Sequence, residues 1–197
     1  MPFTPWQSPA EGTAPAGVVE PLLRLEADTR LDGPARVLGA VAETVLSSAA
    51  LRDGLRGAWF GHALHPALTD FPLGAWMSAS LLDLIGGRAA RGPSRRLIGF
   101  GLLVAAPTAA AGLAEWQATS GGARRVGVVH VGVNTTATAL YAWSWSARRR
   151  GRHATGVVLA VTGGLVAIAG GYLGGHMSLV RKVGTADPAF ADAAREV

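Results

Sequence analysis

Three stretches of this 197-residue chain carry no formal charge: Leu97 to Ala114, Val126 to Ala147 and Ala154 to Val180, the last two holding one histidine each, His130 and His176. Each is about 18 residues or longer, enough at 1.5 Å of helical rise per residue to cross a hydrocarbon core about 30 Å thick. Core helices of soluble proteins are rarely so long and so free of charge, which argues against a soluble bundle. A fourth stretch, 66–86, is apolar but holds Asp70 near one end and Asp83 near the other, so it must be supported by its neighbours if it is to span. The sequence therefore predicts an all-α fold, an integral membrane four-helix bundle with spans near 66–86, 97–116, 126–147 and 154–178.

A net charge of +5 would point to nucleic acid in a soluble protein, but its distribution points elsewhere. Arg88, Arg91, Arg95 and Arg96 lie between spans one and two, and Arg148, Arg149, Arg150 and Arg152 between spans three and four. Cationic short loops stay in the cytoplasm. Fewer cations, Arg52, Arg56, Arg124, Arg125, Arg181 and Lys182, flank the other ends. The expectation is a multi-pass plasma-membrane protein with both termini extracytoplasmic, the lipid bilayer as its solvent and no nucleic-acid partner. The preference for arginine (Lys182 is the only lysine) and the abundance of alanine and glycine suggest a bacterial chain of high-GC origin. With no cysteine, disulfides and thiolate metal sites within the chain are excluded.

Residues 1–17 read as a disordered lead and 185–197 as a polar tail. Met1 to Ala16 has neither a basic start nor an apolar run, so no cleavable signal is expected. Between lead and bundle, 18–57 reads as an amphipathic helical region, with helices at about Val18 to Arg30 and Pro34 to Leu55 parted by Asp32 and Gly33. Val37, Val41, Val45 and Leu46 form an apolar stripe suited to the membrane surface or to the bundle. Trp59 and Trp116 at the outer level, with Trp143 and Trp145 at the inner, read as aromatic belts, and Trp76 as a packing residue.

Placing the polar residues by depth gathers them at one face. His62 and His65 open span one, with Asp70 further in; Glu115 ends span two; His130 lies a turn into span three; His176 closes span four. On a 3.6-residue period His130, Asn134, Tyr141 and Ser144 share an arc of about 80°, Tyr172 lies a turn below His176, and Asp70 is about 140° round from His65. Ionisable groups at membrane depth are costly and mark functional sites, here with Asp83 left near the inner face. His153, alone at the cytoplasmic end, reads as a solvated loop residue. Histidines with carboxylates suit axial ligation of haem b or a divalent transition metal with nitrogen and oxygen ligands. His65, His130 and His176, with His62 as alternate, are the candidate ligands, Asp70 and Glu115 the candidate metal carboxylates, and Asn134, Tyr172 and Asp83 supporting groups. GGYLGG before His176 provides either close helix packing or clearance for a flat cofactor. Each hairpin also runs from an outer histidine through an arginine-rich loop to an outer polar residue, a weak internal symmetry.

The segments GHALHPALTDFPLGAWMSASLLDLIGG, APTAAAGLAEW, RRVGVVHVGVNTTATALYAWS and GGYLGGH, in that order, resemble the bacterial four-helix membrane family called domain of unknown function 2231. The resemblance covers about Leu55 to Gly184. It places motif positions on His62, His65, Pro66, Asp70, Asp83, Glu115, His130, Asn134 and His176. Because some members carry a Rieske-type iron–sulfur domain after the last helix, the resemblance implies a redox setting. About twenty residues follow His176 here, so a Rieske-type or other redox partner is expected to be a separate protein, with quinone as the other candidate. The leading expectation is an electron-transfer protein. The alternatives are a small transporter or proton-handling protein, its path lined from His130 to Ser144, and a non-catalytic anchor for a redox partner. No nucleophile motif such as G-x-S-x-G supports an independent hydrolase.

Overall fold

A computed structural model describes residues 17–184; the expected lead and polar tail lie outside these, apart from Gly17. Among the described residues every regular element is helical: α1 (Val19–Ala27), α2 (Asp32–Val45), α3 (Ala49–Arg56), α4 (Leu64–Ile85), α5 (Arg91–Trp116), α6 (Gly121–Arg149) and α7 (His153–Gly175). A 3₁₀ turn, Thr29–Leu31, joins α1 to α2, and a π-helical turn, His176–Val180, continues α7.

The four long helices form two hairpins, α4 with α5 and α6 with α7. Each hairpin also touches the other, α5 against α6 and α4 against α7, which leaves α4 facing α6 across the middle. By length and composition α5 and the α7 segment His153–Val180 could each cross a membrane, both with mean hydropathy 1.9. The polar side chains of α4 and α6 lower their hydropathy, but Asp83, His130 and Ser144 turn inward, and the outward side of α4 presents Phe71, Met77, Leu81, Leu84 and Ile85.

Local chemistry explains how α4 begins and how it accommodates an internal proline. Its first turn has no side-chain cap of its own, since Ala63 stands at the N-cap. Glu115 supplies one from α5: the His65 backbone N–H donates to its Oε1 at 3.0 Å. A carboxylate there satisfies an orphan donor and sits at the positive end of the helix dipole. Pro66 in the same turn has no N–H to satisfy. Pro72 inside α4 leaves the Leu68 carbonyl without its helical donor. The Thr108 hydroxyl lies 3.3 Å from that carbonyl and 2.8 Å from the carbonyl of Val104, within reach of both.

The amino-terminal region differs from expectation in one way. The second helix is broken at Leu46 to Ser48, where the Ser48 hydroxyl accepts from the Leu51 N–H at 3.1 Å and starts α3. The Val37, Val41 and Val45 stripe faces outward. Ala35, Gly39, Ala42 and Leu46 are the buried residues. The contact selects small side chains: a Cβ on Gly39 would stand 2.9 Å from the Arg124 guanidinium. Trp116 also leaves its expected belt. It is buried among Leu22, Ala35, Val126 and Met177, donates to the Arg124 carbonyl at 3.0 Å and carries the Arg124 guanidinium over its ring.

Candidate functional site

Two of the expected histidines meet. The His65 and His130 rings, from α4 and α6, lie 6.1 Å apart between centroids at an interplanar angle of 81°. Each is tied to the next helix in the same manner. His65 Nδ1 lies 2.9 Å from the Thr108 carbonyl of α5, and His130 Nδ1 lies 3.0 Å from the Gly170 carbonyl of α7. A carbonyl only accepts, so Nδ1 carries the proton in both rings, and a neutral ring then keeps its Nε2 lone pair. Glycines make the room. A Cβ on Gly112 would stand 2.7 Å from His65 Nδ1, and one on Gly174 3.0 Å from His130 Cε1. Asn134 donates to the His130 backbone carbonyl at 2.9 Å, and its amide nitrogen is 3.3 Å from both ring nitrogens. A Cβ on Gly170 would strike that Asn134 amide at 2.6 Å. In GGYLGG, therefore, Gly170 and Gly174 give clearance to Asn134 and His130, while Gly171 and Gly175 face open space.

The other expected ligands lie elsewhere. His176 is drawn to Glu26 of α1, its Nε2 2.7 Å from Oε1. Arg181 completes this clasp through Nε at 2.5 Å and a second, close contact from Nη2 to Oε2. Arg125 ties the same region down, bonding both Asp32 oxygens at 2.7 and 3.0 Å and the Glu26 carbonyl at 3.0 Å. The Arg181 guanidinium, and after it His176, hold the Glu26 carboxyl below the usual glutamate value of 4.5, against the opposing effect of burial. His62, Asp70 and Tyr172 are exposed. Glu115 uses one oxygen as the cap of α4, and a Cβ on Gly184 would meet the other at 2.5 Å. Among the described residues no three histidine, aspartate or glutamate side chains are grouped to hold a metal ion.

At the opposite end of the bundle Asp83 is the centre of a buried cluster. Arg148 reaches it with two parallel bonds, Nη1 to Oδ1 at 2.8 Å and Nη2 to Oδ2 at 2.5 Å. Ser94 donates to Asp83 Oδ1 at 2.7 Å, and Arg148 Nε donates to the Ser144 hydroxyl at 3.2 Å. Sequence reasoning missed this use of Arg148, read as one of four loop cations, and of Glu26. His153 is also no plain solvated loop residue: its Nε2 is 3.9 Å from Asp83 Oδ1 and its side chain is mostly covered.

No curated protein and no solved structure matches the chain. Residues 61–187 match a family described as predicted membrane protein, domain of unknown function 2231. The match takes in α4 to α7, hence both the histidine pair and the Asp83 cluster, and leaves out α1 to α3. It spans more than half of the sequence, and the chain belongs to the domain of unknown function 2231 family of predicted membrane proteins.

Proposed function

We propose that this is a multi-pass plasma-membrane protein in which α4 to α7 all cross the bilayer with both termini outside, and that it is a redox protein holding one metal centre between His65 and His130. The four crossings are supported by the outward apolar side chains of α4 and by the spacing of its polar groups. At about 1.5 Å per residue Asp83 lies about 27 Å along α4 from His65, close to the thickness of a hydrocarbon core. His65 and Asp83 thus sit at the two levels where lipid tolerates polar groups, Asp83 being paired as well, while the exposed Asp70 lies about 7.5 Å inward of His65.

The paired rings, each with Nδ1 bound to a backbone carbonyl, carry the functional reading. Metal-bound histidines commonly use the second nitrogen in this way, which fixes the tautomer and directs Nε2 to the ion. His65 and His130 would hold such a group through their Nε2 nitrogens, one from each of α4 and α6. The donor set therefore fits a bis-imidazole centre, haem b or a single transition-metal ion, which would supply one-electron chemistry. Quinone or a separate redox protein would be the electron partner.

His176 does not enter this ligand set, because its Nε2 is engaged by Glu26. The test is the absorption spectrum, oxidised and reduced, together with metal analysis of the detergent-purified full chain. Wild type is expected to show one centre, His130→Ala none, and His176→Ala undiminished occupancy. Absence of both a Soret band and stoichiometric metal from the wild type overturns the reading and favours proton handling along Asn134, Tyr141 and Ser144, which lie inside the bundle between the histidine pair and Asp83.

A further inference from the structure

The histidine pair has a counterpart at each level down the bundle. His65 faces His130, Trp76 stacks on Tyr141 at 4.0 Å between centroids and 13° between planes, and Asp83 pairs with Arg148. In all three pairs the second residue is 65 positions after the first. On α4 the three positions lie about three and about five helical turns apart, and so on one face.

The surrounding helices repeat the relation with their own constant spacing. His65 Nδ1 bonds the Thr108 carbonyl and its ring occupies the space over Gly112; His130 Nδ1 bonds the Gly170 carbonyl and its ring lies over Gly174. Trp76 fills the space over Gly101, where a Cβ would stand 2.2 Å from its Nε1, and Tyr141 fills that over Gly163, where a Cβ would be 3.2 Å from its ring. In the first hairpin the Ser94 hydroxyl of α5, whose proton goes to Asp83, lies against the Ala79 carbonyl of α4 at 3.2 Å; in the second Ser144 of α6, the equivalent of Ala79, donates to the carbonyl of Gly156, the equivalent of Ser94. One spacing relates α4 to α6, and another, three residues shorter, relates α5 to α7. A residue that touches its own equivalent must lie on a twofold axis.

We infer that α4–α5 and α6–α7 are two copies of one helical hairpin closed about a pseudo-twofold axis, and that His65 and His130 are the two equal halves of one ligand site. The ligand class is a single metal centre taking one neutral imidazole from each copy; this last part rests on the function proposed above. Departures from the symmetry are local. Asp83 opposite Arg148 replaces a like pair, which would repel if charged, by an ion pair, and Glu115 has Met177 as its equivalent.

The test exchanges partners across the axis in the full-length protein. Trp76→Tyr and Tyr141→Trp are made singly and together, and thermal unfolding is followed in detergent. Because Gly101 and Gly163 give both positions matching clearance, each single change is expected to lower Tm by several degrees and the exchange to recover most of that loss. An exchange as damaging as the two single changes added together overturns the duplication, whether or not a cofactor binds. Titration with hemin and with Co(II) reads the ligand site: one equivalent per chain, removed entirely by either His65→Ala or His130→Ala. Two equivalents, or retention of binding by one of these variants, overturns the shared site. If neither probe binds the wild type, the metal reading fails with it, and the exchange result still decides the duplication.

Discussion

Arg148→Met is expected to destabilise the protein by about 3–5 kcal/mol, the cost of leaving one member of a buried ion pair uncompensated. The side chains concerned are only 1% and 5% exposed. Both Asp83 oxygens are used by the Arg148 guanidinium, and Ser94 adds a further donor. Loss of the arginine leaves a carboxylate facing Ser94, with His153 nearly 4 Å away as the nearest remaining basic group. The double variant Asp83→Leu with Arg148→Met removes both charges and should recover most of the stability, since well-packed apolar replacements of buried pairs are often neutral. Thermal unfolding of the three proteins in one detergent measures this. A single variant as stable as wild type would show that the pair contributes little to holding the hairpins together.

The second large effect is expected at the other end, where α1 and α2 are fastened to the bundle. Glu26→Gln should release this region at neutral pH, at a cost of about 1–3 kcal/mol for charge-assisted hydrogen bonds lost from a buried group. The wild-type clasp should respond to acid. Because the folded protein holds the Glu26 carboxyl below 4.5, the clasp contributes its full stability above that pH and loses it as pH falls through the lower folded value. Asp32, lowered by its bonds to Arg125, acts in the same direction. Limited proteolysis between α1 and α3 should be slow at pH 7 in wild type, faster once the pH falls through the lowered Glu26 value, and fast at pH 7 in Glu26→Gln. Equal cleavage of the two proteins at pH 7 would remove Glu26 from the clasp.

The positions of α5 and α7 were legible in the sequence because a charge-free run long enough to span is a strong physical signal. The gathering of histidines was legible only in part. Depth along a helix brought His65, His130 and His176 to one level, but depth does not say which way a ring turns, and His176 turns to Glu26. Glu26 carried no signal, since it belongs to the short helix α1, which is joined to α2, and α2 docks through Ala35, Gly39 and Ala42, residues that hydropathy ranks below the valines beside them. The Asp83–Arg148 pair did leave a trace. Its spacing equals that of His65 and His130, and the faint symmetry between hairpins becomes specific only when the contacts show equivalent residues meeting. Glu115 suited metal ligation by residue type, yet the uncapped start of α4 gives it another task.

The proposed chemistry depends on four crossings that put the histidine pair outside and Asp83 inside. The chain has no cysteine, so single cysteines report location without background. Ala118→Cys in the α5–α6 connection and Ala89→Cys in the α4–α5 connection are both at exposed positions. With a membrane-impermeant maleimide on intact cells made permeable only at their outer envelope, Ala118→Cys should be labelled at once and Ala89→Cys only after the plasma membrane is opened. Labelling of both from the same side would contradict the four-span arrangement.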